Sequence, residues 1–296
     1  MKELGAEYVA DMRDAISGFL KTVRNLNLGL GTHHTDDSIA AKELASFRKP
    51  SAVVNAQNIA SMLIESSSDH MEAFARTITE PHLPFASCTS VRSMLEPCAF
   101  AAWLVDPSIG AVDRAKRGFA MRYAAIDEES KWAKTIGQEY QVGRTYGDRL
   151  DAIERDALDL GFDPIVKKRE KRIGIGCRKP SATDTIGVML NEKSMYVLLS
   201  AVAHGQIWAM REMGFAPVDT GGKTRLIGTV PVRQFEKVVR PELIASLGLC
   251  ALRSFARPAV FMLRYSGHDD GRFVALLETT FDFLRVPAER RPRWNA

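Results

Sequence analysis

Five residues spaced four apart carry the most chemically capable pattern in this 296-residue chain: Glu192, Tyr196, Ser200, His204 and Trp208. On a helix, steps of four place them along one slowly drifting stripe. The positions between Val197 and Ile207 are otherwise mostly apolar or small. The stripe therefore belongs to a helix buried almost all round, and its polar groups must find partners inside the protein. An imidazole one turn after a hydroxyl suits acid/base work or the anchoring of a ligand. His204, Tyr196 and Ser200 are thus the candidate catalytic residues, with Glu192 and Trp208 as candidate substrate contacts. The alternative is purely structural: Ser200 bonds back to its own helix while His204 and Tyr196 tie neighbouring helices together.

A second pair, Arg92 and Glu96, lies four apart in the otherwise apolar segment 89–103. A buried charge is expensive unless paired, so these two bond to each other or to a ligand. Both are candidate substrate-binding residues; the alternative is a surface pair on one helix face. His70 sits in a polar helical run, Ser66 to Glu72, and is a further candidate contact unless it is satisfied structurally. His33 and His34, followed by Asp36 and Asp37, have metal-ligating side chains, but adjacent histidines rarely point at one ion. No metal site is assigned.

Several common chemistries lack their motifs. Glu-x-x-His, His-Glu-x-x-His, the phosphate-binding Gly-x-x-x-x-Gly-Lys-Ser/Thr loop and Gly-x-Ser-x-Gly are all absent. Gly174 and Gly176 do not form a dinucleotide fingerprint. No cofactor is expected.

The elements that must position these residues read as helices. Apolar periodicity runs over residues 7–25, 50–79, 83–105, 145–160 and 193–213, with a long amphipathic stretch to residue 137. Asp37 or Ser38 caps a short helix, Ser181 and Asp184 form a capping box, and Gly161 closes a helix. Pro50 and Pro84 fit first helical turns, and Pro97 interrupts the 83–105 helix. The charged stretch 163–180 reads as the longest internal linker or loop, and only 224–232 looks strand-like. The expected fold is all-α: a single bundle of about eight to ten helices with an internal polar pocket between the 83–105 and 193–213 helices. Residues 1–48 read as an N-terminal helix and loop arm, 49–285 as the main bundle, and 286–296 as an exposed tail.

Composition narrows the class. Apolar residues make up 46% and charged residues 26%, with a net charge of +4, as in ordinary globular proteins. That charge is too small and dispersed for a dedicated nucleic-acid binder; the densest basic run is Lys167 to Arg172. Four cysteines without a Cys-x-x-Cys spacing point to reduced thiols. No apolar run approaches the roughly 20 residues of a membrane span, and the first residues lack a signal-peptide core. The expectation is a cytoplasmic protein with no membrane partner.

Three segments together resemble a known group. Arg92-Ser93-Met94-Leu95-Glu96, Trp103-Leu104-Val105-Asp106-Pro107 and the run from Tyr196 to Gly205 are similar to bacterial all-helical proteins distantly related to the HEPN superfamily, whose members include RNA-cleaving toxins and defence proteins. The resemblance covers residues 55–212. Active members place an Arg about five to seven residues before a helical His. Before His204 those positions hold Val197, Leu198 and Leu199, and the one formal match, Arg76 to His82, straddles Glu80-Pro81. The resemblance therefore implies an RNA-interacting or defence-associated protein without the nuclease motif.

The leading functional expectation is a protein that binds a small polar or anionic molecule between bundle helices, with or without transforming it through His204. RNA interaction is the second expectation, and a structural or oligomeric role, including a homodimer, is the third.

Overall fold

Apolar residues recurring every three or four positions build the first helix. Met12, Ile16, Phe19, Leu20 and Val23 all lie on the buried face of α1 (Ala6–Asn25). The computed structural model describes residues 6–25, 33–80, 82–137, 140–141, 144–167, 171–218, 225–227, 230–232 and 234–292. The Ser38 hydroxyl accepts from the Ala41 N–H at 2.9 Å and starts α2 (Ile39–Ser46). Prolines open α3 (Pro50–Thr77) and α4 (Pro84–Leu104), where a missing N–H costs nothing. After α5 (Ala111–Thr135), the pair β1 (Tyr140–Gln141) and β2 (Arg144–Thr145) leads into α6 (Tyr146–Leu158), which has a complete Thr145–Asp148 capping box.

The stretch expected as a linker is instead an antiparallel hairpin, β3 (Pro164–Lys167) and β4 (Lys171–Ile175). Its Ile175 and the preceding Phe162 pack with α6 residues Ile153 and Ala157 over Phe119, Tyr123 and Ile126 of α5. Charge dominates the composition of this stretch, but a few apolar side chains suffice to dock it. Ser181 caps α7 (Ala182–Leu190) as expected. The single helix read over 193–213 is two, α8 (Lys193–Ala203) and α9 (Ile207–Gly214). Gly205, at φ +69°, reverses the chain between them.

Three short strand pairs have no counterpart in the sequence reading, whose one strand-like stretch falls on β6 (Arg225–Ile227) and β7 (Val230–Val232). One of the unforeseen pairs joins β5 (Phe215–Pro217) to β8 (Phe235–Lys237). The chain finishes with α10 (Pro241–Ser266), α11 (Gly271–Phe283) and a 3₁₀ turn at Ala288–Arg290. The fold is an all-α helical bundle, whose sheets among the described residues are all two-stranded.

The core lies around α4 and α10. α4 buries residues on nearly every side and packs against α3, α7, α8 and α10. Its small side chains Cys98, Ala99, Ala101 and Ala102 permit close approach. α1 crosses α10 at Gly248, where a Cβ would stand 2.3 Å from Met12 Sδ. Residues 6–25 and 39–46 thus share this core, and do not stand apart as an arm. Residues 286–292 are also docked over α11: Val286 is buried, and Arg291 pairs with Glu278 and Asp282.

α10 is the one helix among the described residues long and apolar enough, by length and composition, to cross a membrane. Arg253 and Arg257 interrupt its apolar run, so run length alone overlooks it, yet its mean hydropathy reaches 1.3 over an 18-residue window. That window is 72% buried inside the protein, as expected for a core helix.

Candidate functional site

α8 lies against α4, and this contact brings together the two polar sets separated by about a hundred residues of sequence. Arg92 Nε donates to Ser200 Oγ at 3.2 Å. The Arg92 guanidinium also pairs with Glu96 Oε1 at 3.1 Å and lies 5.4 Å from the centre of the Tyr196 ring. Tyr196 donates its hydroxyl to the same Glu96 oxygen at 2.8 Å. Four of the candidate residues thus form one network across two helices.

Burial, followed by the hydrogen bond and charge of Glu96, pushes the Tyr196 phenol above its ordinary pKa. It is therefore a donor at neutral pH and a poor base. Arg92 and Glu96 retain 25% and 35% side-chain exposure, so the network opens to solvent and is not sealed inside the bundle. It borders a cleft of about 390 Å³. Ser66 of α3, Phe100 of α4 and Met121 of α5 contribute walls, and Lys179 forms part of the far lip with its ammonium 4.6 Å from the Phe100 ring centre. Arg92 and Glu96 line the cleft, whereas Tyr196 and Ser200 stand behind Arg92 and fix its orientation.

The other candidates lie elsewhere. His204 is the exposed C-cap of α8, beyond the last turn that faces α4. The chain reversal at Gly205 stops the stripe there, and Trp208 is 54% exposed with its indole N–H donated to Gln206 Oε1 at 2.7 Å. Glu192 is buried at the start of α8, but its partner is Arg253 of α10 at 2.6 Å, beside a different cleft. His70 is half-buried on α3 and does not line the Arg92 cleft. Lys179 is the charged lining residue that the sequence does not mark. It sits in irregular chain before the Ser181 cap, where no periodicity marks it.

Arg76 and His82, the spacing that formally matches the nuclease pattern, are each tied to a neighbour: Arg76 to Glu72 at 3.1 Å and His82 to Glu80 at 2.7 Å. In the basic run, Arg172 pairs with Glu154 and Asp151, and residues 168–170 lie outside the described residues. All four cysteines are free thiols, and burial pushes Cys88 and Cys98 up to about 12. Among the described residues no three His, Cys, Asp or Glu side chains gather as a metal site would require. His33 is exposed, and His34 is half-buried against the Tyr265 ring.

Compared with family models, curated proteins and solved structures, the chain matches none. Its function must be argued from the chemistry of its own clefts.

Proposed function

We propose that the cleft between α3, α4 and α5 binds a small polar molecule through an anionic group. The observation that carries this reading is the arrangement of charge: Arg92 and Lys179 line one small cleft that contains Glu96 as its only acidic lining residue. The Arg92 guanidinium is held from behind by Ser200 and Tyr196, so little side-chain freedom is lost when it receives a ligand. Glu96 shares its carboxylate between Arg92 and Tyr196, and it turns away ligands whose only charge is negative unless they reach Lys179. Phe100, Met121 and Leu63 supply apolar walls for the rest of the molecule.

This reading is one of binding, with no acid/base step assigned to His204, which lies outside the cleft. A panel of small mono- and dicarboxylates, screened by thermal shift and followed by calorimetry on the full chain, tests it. Lys179→Gln is expected to weaken a bound carboxylate about tenfold, the loss of one charge-assisted hydrogen bond. Binding that is indifferent to both Lys179→Gln and Arg92→Gln would remove the proposal.

A further inference from the structure

A second, larger cleft of about 570 Å³ lies between the α7–α8 junction, α10 and the segment that follows α11. Four arginines line it, Arg253, Arg257, Arg290 and Arg291, together with two acids, Glu192 and Glu289. Two of the arginines are already occupied. Arg253 holds the buried Glu192 carboxylate at 2.6 Å and also donates to the Arg290 carbonyl at 3.4 Å. Arg291 is clamped by Glu278 at 2.8 Å and Asp282 at 2.7 Å.

The other two differ. Arg257 follows Arg253 by one turn on the same face of α10, and its guanidinium carbon lies 4.9 Å from the centre of the Phe261 ring. Arg290 is exposed at the rim. Neither has a carboxylate within ion-pair distance among the described residues. Met189, Leu190 and Pro292 supply an apolar surface beside these charges.

We propose that this cleft binds a phosphomonoester carried on a small apolar or aromatic body, with Arg257 and Arg290 as the phosphate ligands. A guanidinium presents paired N–H groups that match two phosphate oxygens at once. A phosphomonoester carries about −1.5 to −2 charges at neutral pH, which matches the two guanidiniums proposed to hold it. The Arg253–Glu192 pair anchors the floor. It leaves Arg257 as the next cation along the helix, and the apolar surface receives the organic part of the ligand. This proposal is independent of the Arg92 cleft and uses none of its residues.

The test is calorimetry on the full chain with phenyl phosphate, inorganic phosphate and benzoate as probes. Phenyl phosphate is expected to bind most tightly, and its affinity to fall as salt is added. Arg257→Gln and Arg290→Gln are each expected to weaken it about tenfold, while Lys179→Gln leaves it unchanged. Should Arg257→Gln fail to fold by circular dichroism, Arg290→Gln on the exposed rim decides alone. No binding of phenyl phosphate at millimolar concentration overturns the proposal, as does equal affinity in the variant and the parent. Benzoate that binds as tightly as phenyl phosphate and is weakened by Arg257→Gln or Arg290→Gln rejects the phosphate class, and a loss seen only in Lys179→Gln assigns the ligand to the other cleft.

Discussion

The imidazole with the most distinctive surroundings is His34, which the sequence marks only as one of an adjacent pair. Its Nδ1 is buried without a hydrogen-bond partner among the described residues, and the ring packs edge-on to Tyr265. Burial lowers its pKa first, a hydrogen bond involving Gln57 opposes that, and the nearby His268 and His33 lower it further. His268 Nε2 itself lies 2.9 Å from the His33 carbonyl. A histidine depressed in the folded state binds fewer protons than the unfolded chain once the pH drops below about 6.5, the ordinary histidine value. Stability contributed by neutral His34 is therefore present above that pH and is lost as the pH falls from there through the lower folded-state value. Urea midpoints measured near neutrality and at mildly acidic pH should show this loss, and His34→Gln should shrink the difference. An unchanged acid dependence in that variant would show that other groups govern it.

At the scale of elements, the α8–α9 junction decides which stripe residues can cooperate. Gly205 adopts φ +69° with open space around its α-carbon, so a Cβ there meets no neighbour and only backbone strain penalises it. Gly205→Ala is expected to cost about 1 kcal/mol, the left-handed penalty for an L residue. Equilibrium unfolding in urea measures it; a neutral or stabilising result would mean that the reversal tolerates another backbone path. The same junction explains why Tyr196 and Ser200 meet Arg92 while His204 and Trp208 do not. The first two lie on α8 where it faces α4, and the other two follow after the helix has ended.

At the scale of the whole molecule, one fully buried cation ties distant parts of the chain together. Arg114 of α5 pairs with Glu43 of α2 at 2.9 Å and donates to the Leu104, Asp106 and Ile109 carbonyls at 2.7, 3.1 and 3.1 Å. Tyr265 of α10 donates to the same Glu43 carboxylate at 3.0 Å, with the guanidinium 4.1 Å from its ring centre. The arginine thus satisfies carbonyls left open around the end of α4 and holds α2, α5 and α10 in register. Arg114→Met leaves Glu43 buried without its cation and is expected to cost about 3–5 kcal/mol. A loss below about 1 kcal/mol in urea unfolding would mean that the network is replaceable by packing.

The sequence by itself determined the helical class, because 3.6-residue periodicity and local capping are properties of neighbouring residues. Ser38, Thr145 and Ser181 begin helices in the structure, and the buried face of α1 follows its apolar spacing. It also placed Arg92 and Glu96 on one helix face within reach of each other, since a turn of helix joins them; that they pair is a finding of the structure. Gly205 after His204 is itself a helix-stop signal, and apolar residues on either side of it continue the helical spacing. Only the tertiary structure decided that Arg92 meets Ser200 and Tyr196, that Lys179 closes the same cleft, and that Glu192 belongs with Arg253. The hairpin at 164–175 and the Arg114 network are of the same kind. Their partners lie far apart in the chain, and what joins them is the need of each buried charge and each apolar face for a partner, which local spacing does not encode.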